Sequence, residues 1–370
     1  MRRRVESGAE KTPLRLGLMP LQLSMIDLFA GCGGLTAGFT ATGRVDPIAA
    51  VELDEDAAAT YAQNFGEHVY VGDIAEWVAG DLPAADIIVG GPPCQGFSQL
   101  GKKDPNDPRS IMWSHYVEAL IKVRPRYFVL ENVPQFLKAP QFLEFSAEFR
   151  RGGRLEDYKI EVFKVNAADY GAAQNRRRAV VVGSPRASAN VRLEGLVGAP
   201  ISVASAWRDM PTTVTETDLP TSSTVLNGRI VPGPFKLQDI HVTRRPTQLS
   251  RSRYAAIPVG GDRRDLPDDL KAPCWIKHTS GSADVMGRLH ADRPSVTIRT
   301  EFYKPEKGRY LHPTANRPIT HAEAALIQGF DEKFGWCGTK VSIAKQIGNA
   351  VPPPLASAIA LALLAHHDGG

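Results

Sequence analysis

The sequence predicts an α/β protein with a doubly wound, mostly parallel sheet and a second, smaller and irregular domain. First, short apolar runs rich in β-branched residues alternate with helical stretches over the first half of the 370-residue chain. Second, glycines and acidic residues stand directly after these runs. Third, a proline-rich segment of weak periodicity, residues 186–316, interrupts the pattern. Alternating strands and helices are typical of a parallel sheet with helices on both faces.

The alternation is clearest before residue 186. The predicted strands cover residues 23–29, 47–52, 69–74, 84–89, 126–130, 158–165 and 178–183, and predicted helices begin near Leu35 and cover 55–65 and 111–123. Near the C-terminus, residues 355–365 are apolar on most sides and follow three prolines. Since proline fits the first turn of a helix, this stretch is predicted to form a buried helix.

Composition excludes several classes of protein. A hydrophobic content of 43% is enough for a large core. The four cysteines, Cys32, Cys94, Cys274 and Cys337, form no CxxC pair and no metal-ligand cluster. This usage favours a reduced, cytoplasmic protein without a bound metal. No apolar run is judged long enough to span a membrane, and the arginine-rich start lacks the apolar segment of a signal peptide.

The basic charge is concentrated in one segment. Residues 186–316 contain 19 Lys and Arg against 13 Asp and Glu, whereas the rest of the chain has 25 against 27. A basic, loop-rich segment beside a regularly patterned region fits a module that contacts phosphate groups. A solvated, irregular domain without a partner explains the charge alone equally well.

Several polar groups are predicted to converge at one edge of the sheet. Residues 31–34, Glu52, Asp73, Cys94 and Glu131 all follow predicted strands, and ligands of such sheets bind at the carboxyl ends of strands. The glycine spacing matches neither the dinucleotide fingerprint nor a phosphate-binding loop with lysine. Because Glu52 could hold a ribose and Asp73 an adenine amino group, the pattern fits a nucleoside ligand such as S-adenosylmethionine.

Cys94 follows a strand and two prolines, which fix the direction of the thiol. Most free cysteines are inert and buried. The neighbouring polar groups at the same edge favour a reactive thiol instead.

Five stretches, residues 27–34, 91–98, 131–133, 174–178 and 348–352, resemble in order the motif series of DNA (cytosine-5) methyltransferases. Residues 317–325 resemble the segment that re-enters the catalytic domain in that family. The resemblance covers residues 23–185 and 312–366. It implies a Rossmann-like S-adenosylmethionine-dependent methyltransferase fold. The implied division is a basic tail (1–22), a catalytic domain (23–185 and 317–370) and a target-recognition domain (186–316).

The resemblance also implies catalytic roles. Cys94 is the nucleophile that attacks C6 of cytosine, which activates the otherwise unreactive C5. Since the thiolate is the reactive form, the site must favour it. Glu131 contacts N3 and the exocyclic amine, a role that requires it to donate or share a proton. Arg178 holds O2 of the base, Arg176 lies near the active loop, and Gln174 lies near backbone.

The implied ligand contacts form two groups. The cofactor S-adenosylmethionine lies against Phe29, Ala30, Gly31, Cys32, Gly33, Gly34, Leu35, Glu52, Leu53, Asp73, Ile74, Pro93, Asn349 and Val351. Double-stranded DNA lies against Gln95, Ser98, Lys102, Lys103, Gln174, Thr297 and Arg299. The target base must leave the duplex to reach Cys94, and the polar stretch 99–109 is a candidate clamp for the DNA.

The first hypothesis is therefore a bacterial, cytoplasmic and monomeric enzyme that methylates cytosine at a short duplex sequence, with or without a cognate restriction endonuclease. An RNA cytosine-5 methyltransferase on the same fold is a second hypothesis. A catalytically silent DNA-binding regulator is a third, although all the expected catalytic residue types are present. A nicotinamide oxidoreductase is the weakest, because the glycine spacing is wrong and Cys94 would have no role.

Overall fold

A twisted, mostly parallel sheet is the frame of the molecule. The computed structural model describes residues 22–93, 112–195, 199–277 and 284–369. Within these ranges seven strands form one sheet in the order β3-β2-β1-β4-β5-β7-β6. The strands are β1 Leu23–Leu28, β2 Val45–Glu52, β3 Val69–Val71, β4 Ile87–Gly90, β5 Tyr127–Asn132, β6 Tyr158–Asn166 and β7 Arg177–Pro185. Strands β1 to β5 pair in parallel, and β7 is antiparallel to both β5 and β6. The predicted fold class is confirmed.

The central strands have continuous apolar sequences because both faces of the sheet are covered. Ile87, Ile88 and Val89 of β4 have no exposed surface, and every residue of β5 is buried. Parallel strands covered on both faces lose the alternation of apolar and polar residues that marks a half-exposed strand. This is why the sequence shows these strands so clearly.

The helices cover the two faces of the sheet and continue into the second half of the chain. They are α1 Gly34–Thr40, α2 Glu55–Phe65, α3 Ile74–Ala79, α4 Met112–Val123, α5 Pro140–Ala147, α6 Val203–Ala206, α7 Gln248–Ala256, α8 Pro273–Lys277, α9 His321–Gln328, α10 Lys340–Asn349 and α11 Pro353–Asp368. The predicted helix over residues 55–65 has the bounds of α2.

One predicted strand is too long. The sequence predicts a strand over residues 69–74, but β3 ends at Val71 and Asp73 is the N-cap of α3. The Asp73 carboxylate accepts a hydrogen bond from the Ala75 amide at 2.8 Å. Aspartate satisfies the orphan N–H groups of a helix start well, and here this local preference ends the strand.

The order of the sheet places a crevice between β1 and β4. From β1 the chain runs outward to β2 and β3, and from β4 it runs outward in the other direction to β5. In open α/β sheets ligands bind where the order reverses in this way, outside the carboxyl ends of the strands. The glycine turn after β1 and the Gly91-Pro92-Pro93 turn after β4 flank this point.

Residues 186–316 pack extensively against the C-terminal part of the chain. Phe235, Ile298 and Tyr310 share one apolar cluster with Trp336 and Ile347. The segment also contains a hairpin of two antiparallel strands, β8 Ser223–Leu226 and β9 Arg229–Pro232. Its division from the catalytic domain at residues 185 and 316 stays a prediction.

By length and composition, the stretch Lys340–Asp368 could cross a membrane, contrary to the expectation from the sequence. It consists of α10 and α11, and 61% of its most apolar window is buried inside the protein. Leu355, Ile359 and Leu363 of α11 belong to the cluster beneath the sheet. A buried core helix explains the length and the apolar composition.

Candidate active site

The turn after β1 has an unusual backbone. Phe29, Gly31 and Gly33 have φ values of 58°, 56° and 88°. A bulky residue such as Phe29 rarely adopts positive φ, and residues held in this way cluster at functional sites. Next to the turn, a Cβ on Gly34 would lie 2.4 Å from the Val351 carbonyl oxygen. The turn therefore packs directly against the C-terminal motif that contains Val351.

The end of β2 is bound to this turn by Glu52. Its two carboxylate oxygens accept hydrogen bonds from the Gly31 and Asp54 amides, each at 2.7 Å. Burial raises the pKa of the half-buried Glu52 carboxyl above its ordinary value, while the two amide donors act against this shift. A carboxylate oxygen has two acceptor sites, so Glu52 can also receive hydroxyl donors of a ligand.

The other residues predicted to meet the cofactor fall into two groups. Leu53 is 70% exposed, and Asp73 and Asn349 are also exposed. Ala30, Cys32, Leu35, Ile74 and Val351 are buried. Cys32 and Leu35 pack into apolar clusters, so only their backbone is available to a ligand. Burial raises the pKa of the Cys32 thiol well above its usual range, which makes this cysteine inert.

The turn after β4 is fixed by Asn132, at the end of β5. The Asn132 side-chain amide donates a hydrogen bond to the Pro92 carbonyl at 3.1 Å, and its oxygen accepts one from the Val133 amide at 2.8 Å. Asn132 is buried. The Gly91-Pro92-Pro93 turn, which leads to Cys94, is thereby held to the neighbouring strand. No role for Asn132 is predicted from the sequence; the signal that indicates one is an amide directly after an acid at a strand end.

The same strand end presents Glu131, which forms an ion pair with Arg178 of β7. The Arg178 Nε lies 2.6 Å from Glu131 Oε1, and the two side chains are 13% and 11% exposed. A Cβ on Gly91 would lie 3.3 Å from Glu131 Oε2. One carboxylate oxygen is thus held by Arg178, and the other lies on the side of the turn that precedes Cys94.

Two further residues of the arginine-rich motif, Gln174 and Arg176, are buried and bond with backbone groups. Gln174 has no exposed surface, and its amide bonds with Gln328 and with the Ile298 backbone. The expectation that Gln174 contacts DNA is therefore corrected, because a side chain without exposed surface cannot touch a duplex. Arg176 is also buried, and its guanidinium donates to the Ile298 and Gly348 carbonyls at 2.9 and 2.8 Å.

Two predicted DNA-contacting residues flank Ile298. Arg299 is exposed, and Thr297 is partly exposed with its hydroxyl donating to the Asn175 carbonyl at 2.7 Å. Cys94, Gln95, Ser98, Lys102 and Lys103, and the clamp at 99–109, lie outside the described residues.

The described residues offer no metal site. Over the described ranges, no group of three or more His, Cys, Asp and Glu side chains could hold a metal ion. A cavity of about 440 Å³ lies beside Arg208, Asp209 and Glu332, but none of the predicted site residues lines it.

Comparison with known proteins agrees with this geometry. The family model for C-5 cytosine-specific DNA methylases matches residues 23–365. The chain is 33% identical to the Type II methyltransferase M.XorII of Xanthomonas oryzae pv. oryzae, over 90% of this chain and 82% of that protein. It is 30% identical to the Type II methyltransferase M1.HphI of Haemophilus parahaemolyticus, over 93% and 87%.

A solved structure has the same fold. A prophage-encoded E. coli protein described as a DNA modification methyltransferase is 25% identical, with a TM-score of 0.70 over 94% of this chain and 100% of that chain. The chain belongs to the family of C-5 cytosine-specific DNA methylases, and it is a DNA (cytosine-5) methyltransferase.

Proposed function

We propose that the protein transfers a methyl group from S-adenosylmethionine to C5 of a cytosine flipped out of a short duplex sequence, through a covalent bond between Cys94 Sγ and C6. The observation that carries the proposal is the Glu131–Arg178 ion pair. It stands beside the fixed turn that leads to Cys94, at the carboxyl edge of the sheet. This arrangement brings an acid, a base-holding arginine and the nucleophile's turn together.

The residues around the glycine turn fit the cofactor. A Cβ on Gly31 would meet nothing within 4 Å, so the turn borders open space. Glu52 can accept from ribose hydroxyls, and the exposed Leu53 offers an apolar surface for the adenine ring. Asp73 is assigned to the adenine amine, and Asn349 and Val351 are assigned to the closure of the pocket. When bound, the cofactor supplies an electrophilic methyl group.

Cys94 and Glu131 activate the base together. The Cys94 thiolate forms a bond to C6, and the C5=C6 electron pair is displaced into the ring while N3 takes up a proton from solvent that it shares with the Glu131 carboxylate. C5 of the resulting adduct is electron-rich and accepts the methyl group, whose bond to the cofactor sulfur breaks so that S-adenosylhomocysteine is left. N3 then gives up its proton through Glu131, and loss of the C5 proton to solvent and departure of the thiolate from C6 restore the double bond. The base leaves the site methylated, and Cys94 is regenerated.

Arg178 orients both the acid and the base. A guanidinium has five N–H donors in a fixed plane; the Nε donor holds Glu131 and one Nη1 donor is bonded to the Arg177 carbonyl. The donors on Nη2 are assigned to O2 of the cytosine. Arg176, whose guanidinium is committed to backbone carbonyls, is assigned a positioning role.

The duplex is assigned to the basic segment 186–316, with Thr297 and Arg299 near the target base. Gln95, Ser98, Lys102 and Lys103 are assigned to contacts around the flipped nucleotide. Most basic side chains position the phosphates, and a few read base edges. Because the catalytic and recognition parts belong to one chain, we propose that the enzyme acts as a monomer in the cytoplasm, with or without a cognate endonuclease.

Methylation mapping tests the proposal. The wild-type protein and the Cys94→Ser variant are expressed in cells that lack cytosine methylation, and their DNA and RNA are sequenced after bisulfite treatment. We expect 5-methylcytosine at one short DNA sequence for the wild type and none for Cys94→Ser. Cys274→Ser is the matched control, since Cys274 is exposed in α8, and it should methylate normally. Methylation confined to RNA would overturn the assignment to DNA.

A further inference from the structure

Three buried polar side chains connect the recognition segment to the end of α10. Gln174 and Gln328 have no exposed surface, and Arg176 is 3% exposed. Gln174 and Arg176 lie directly before β7, and Gln328 is the last residue of α9. We call these three residues the Ile298 clamp, because Ile298 is the residue that two of them hold.

The clamp binds both backbone polar groups of Ile298. The Ile298 amide donates to Gln174 Oε1 at 3.1 Å, and its carbonyl accepts from Arg176 Nη1 at 2.9 Å. Each branch then continues to α10. Gln174 Nε2 donates to Gln328 Oε1, and Gln328 donates to the Ile347 carbonyl. Arg176 Nη2 donates to the Gly348 carbonyl. Two parallel branches thus end on consecutive residues of α10.

The backbones also meet directly. A Cβ on Gly348 would lie 2.4 Å from the Thr300 amide nitrogen. No side chain fits between these two segments, so glycine is required at position 348. The 298–300 peptide therefore lies against the last turn of α10.

The two ends of this connection lead to different ligands. On one side, Thr297 and Arg299 flank Ile298 and are assigned to DNA. On the other side, Gly348 is followed by Asn349 and Val351, and Val351 contacts Gly34 of the turn assigned to the cofactor. A buried donor or acceptor that loses its partner costs about 1–3 kcal/mol. A shift of Ile298 alone would break two such bonds, so the peptide and the end of α10 are expected to move together.

We propose that Gln174, Arg176 and Gln328 are positioning residues that couple DNA binding to cofactor binding. The duplex orders Thr297 and Arg299 and thereby fixes the position of Ile298 between them. Through the hydrogen bonds of the Ile298 clamp, Asn349 and Val351 become ordered as well. The inference rests on the proposed function. It assigns Gln174 and Arg176 to the connection between the two sites, and it adds Gln328, which belongs to neither site.

The test measures the affinity for S-adenosylhomocysteine by calorimetry, without duplex and with a saturating duplex of the sequence identified by methylation mapping. Couplings between binding sites are typically about 5–150-fold, and we expect the wild-type affinity to rise at least about fivefold with duplex. In Gln328→Met, which keeps the volume but lacks the bonding groups of one of the two branches, this ratio should fall to about half of the wild-type ratio or less. Its affinity without duplex should change little.

Gln346→Met is the matched control. Gln346 is a buried glutamine of α10 whose amide bonds with Cys337 and Thr60, away from the recognition segment. This variant should keep the wild-type ratio. A wild-type ratio near one, in protein that methylates the duplex, would overturn the inference and leave the proposed function intact. Absence of methylation by the wild type would instead refute the proposed function.

A second measurement covers the case in which Gln328→Met does not fold. Hydrogen exchange of the wild type is followed with and without duplex, in the absence of cofactor. We expect the duplex to slow exchange of the amides at residues 346–351. Unchanged exchange there, together with slower exchange around Thr297, would show that order is not transmitted and would overturn the inference.

Discussion

The Glu131–Arg178 ion pair gives the sharpest prediction about stability. Arg178→Met removes the guanidinium, which lies 2.6 Å from a carboxylate oxygen in a setting only 11–13% exposed. Breaking a buried pair by removing one partner costs about 3–5 kcal/mol, and we expect the low end, about 3 kcal/mol, because some solvent reaches both groups. Glu131→Gln should cost less, because its amide oxygen can still accept from Arg178.

The assay is a double-mutant cycle by urea unfolding of the wild type, Arg178→Met, Glu131→Gln and the double variant. The double variant has no uncompensated carboxylate, so its loss should be smaller than the sum of the single losses by about 2 kcal/mol, within the range for residues in direct contact. The exposed pair Arg124–Asp157, at 2.8 Å, is the matched control. Such surface pairs typically contribute about 1 kcal/mol or less.

Additivity of the Arg178 and Glu131 losses within about 0.5 kcal/mol would refute the reasoning. It would mean that the carboxylate does not depend on the guanidinium in the folded protein. Both single variants should also lose methyl transfer. In Arg178→Met, no guanidinium holds one oxygen of Glu131 so that the other faces the base, and in Glu131→Gln the amide cannot share a proton with N3.

Three further predictions follow from particular contacts. Asn132→Asp replaces the donor to the Pro92 carbonyl with an acceptor, so kcat should fall at least about tenfold, the equivalent of about 1.4 kcal/mol. The affinity for duplex in a gel-shift assay should stay the same. An unchanged kcat would contradict this prediction. Gly34→Ala places a Cβ within 2.4 Å of the Val351 carbonyl oxygen, so calorimetry should show weakened binding of S-adenosylhomocysteine. Gly80→Ala is the control, because the nearest atom to its Cβ would be 3.5 Å away, and this variant should bind the ligand normally. Burial raises the pKa of Asp27 from 3.8 to about 7. Between these two values the folded state holds a proton that the unfolded state releases. The stability that this group contributes is therefore present below pH 4 and is lost as pH rises toward 7. The difference in unfolding free energy between Asp27→Asn and wild type should therefore shift in favour of the variant between pH 5 and pH 8, by roughly 2 kcal/mol, and a constant difference would contradict the assignment.

The sequence was sufficient for the fold because the buried strands are nearly continuous apolar runs. Ile87, Ile88 and Val89, followed directly by glycines, indicate a buried strand. The pairing of Glu131 with Arg178 was also predictable from the sequence, since both residues lie at strand ends that the motif series brings together. Their relative position follows from the antiparallel pairing of β5 and β7, in which Glu131 is opposite Val180.

The roles of Gln174 and Arg176 could not be predicted from the sequence. Their partners Ile298 and Gly348 lie more than a hundred residues away, and residue type alone does not distinguish a buried amide from one that meets DNA. Asp73 was misplaced for a different reason. An aspartate after a short strand serves equally well as a strand end or as a helix N-cap, and only the Ala75 amide decides between them.

The proposed covalent step is tested most directly by trapping it. The protein is incubated with S-adenosylmethionine and a target duplex in which 5-fluorocytosine replaces the target cytosine. Fluorine cannot leave C5 as a cation, so the adduct with C6 should persist after the methyl group is transferred. We predict a denaturation-resistant complex, with mass spectrometry placing the modified nucleotide on Cys94, and no complex for Cys94→Ser. Absence of the complex with an actively methylated sequence, or a bond to another cysteine, would contradict the proposal.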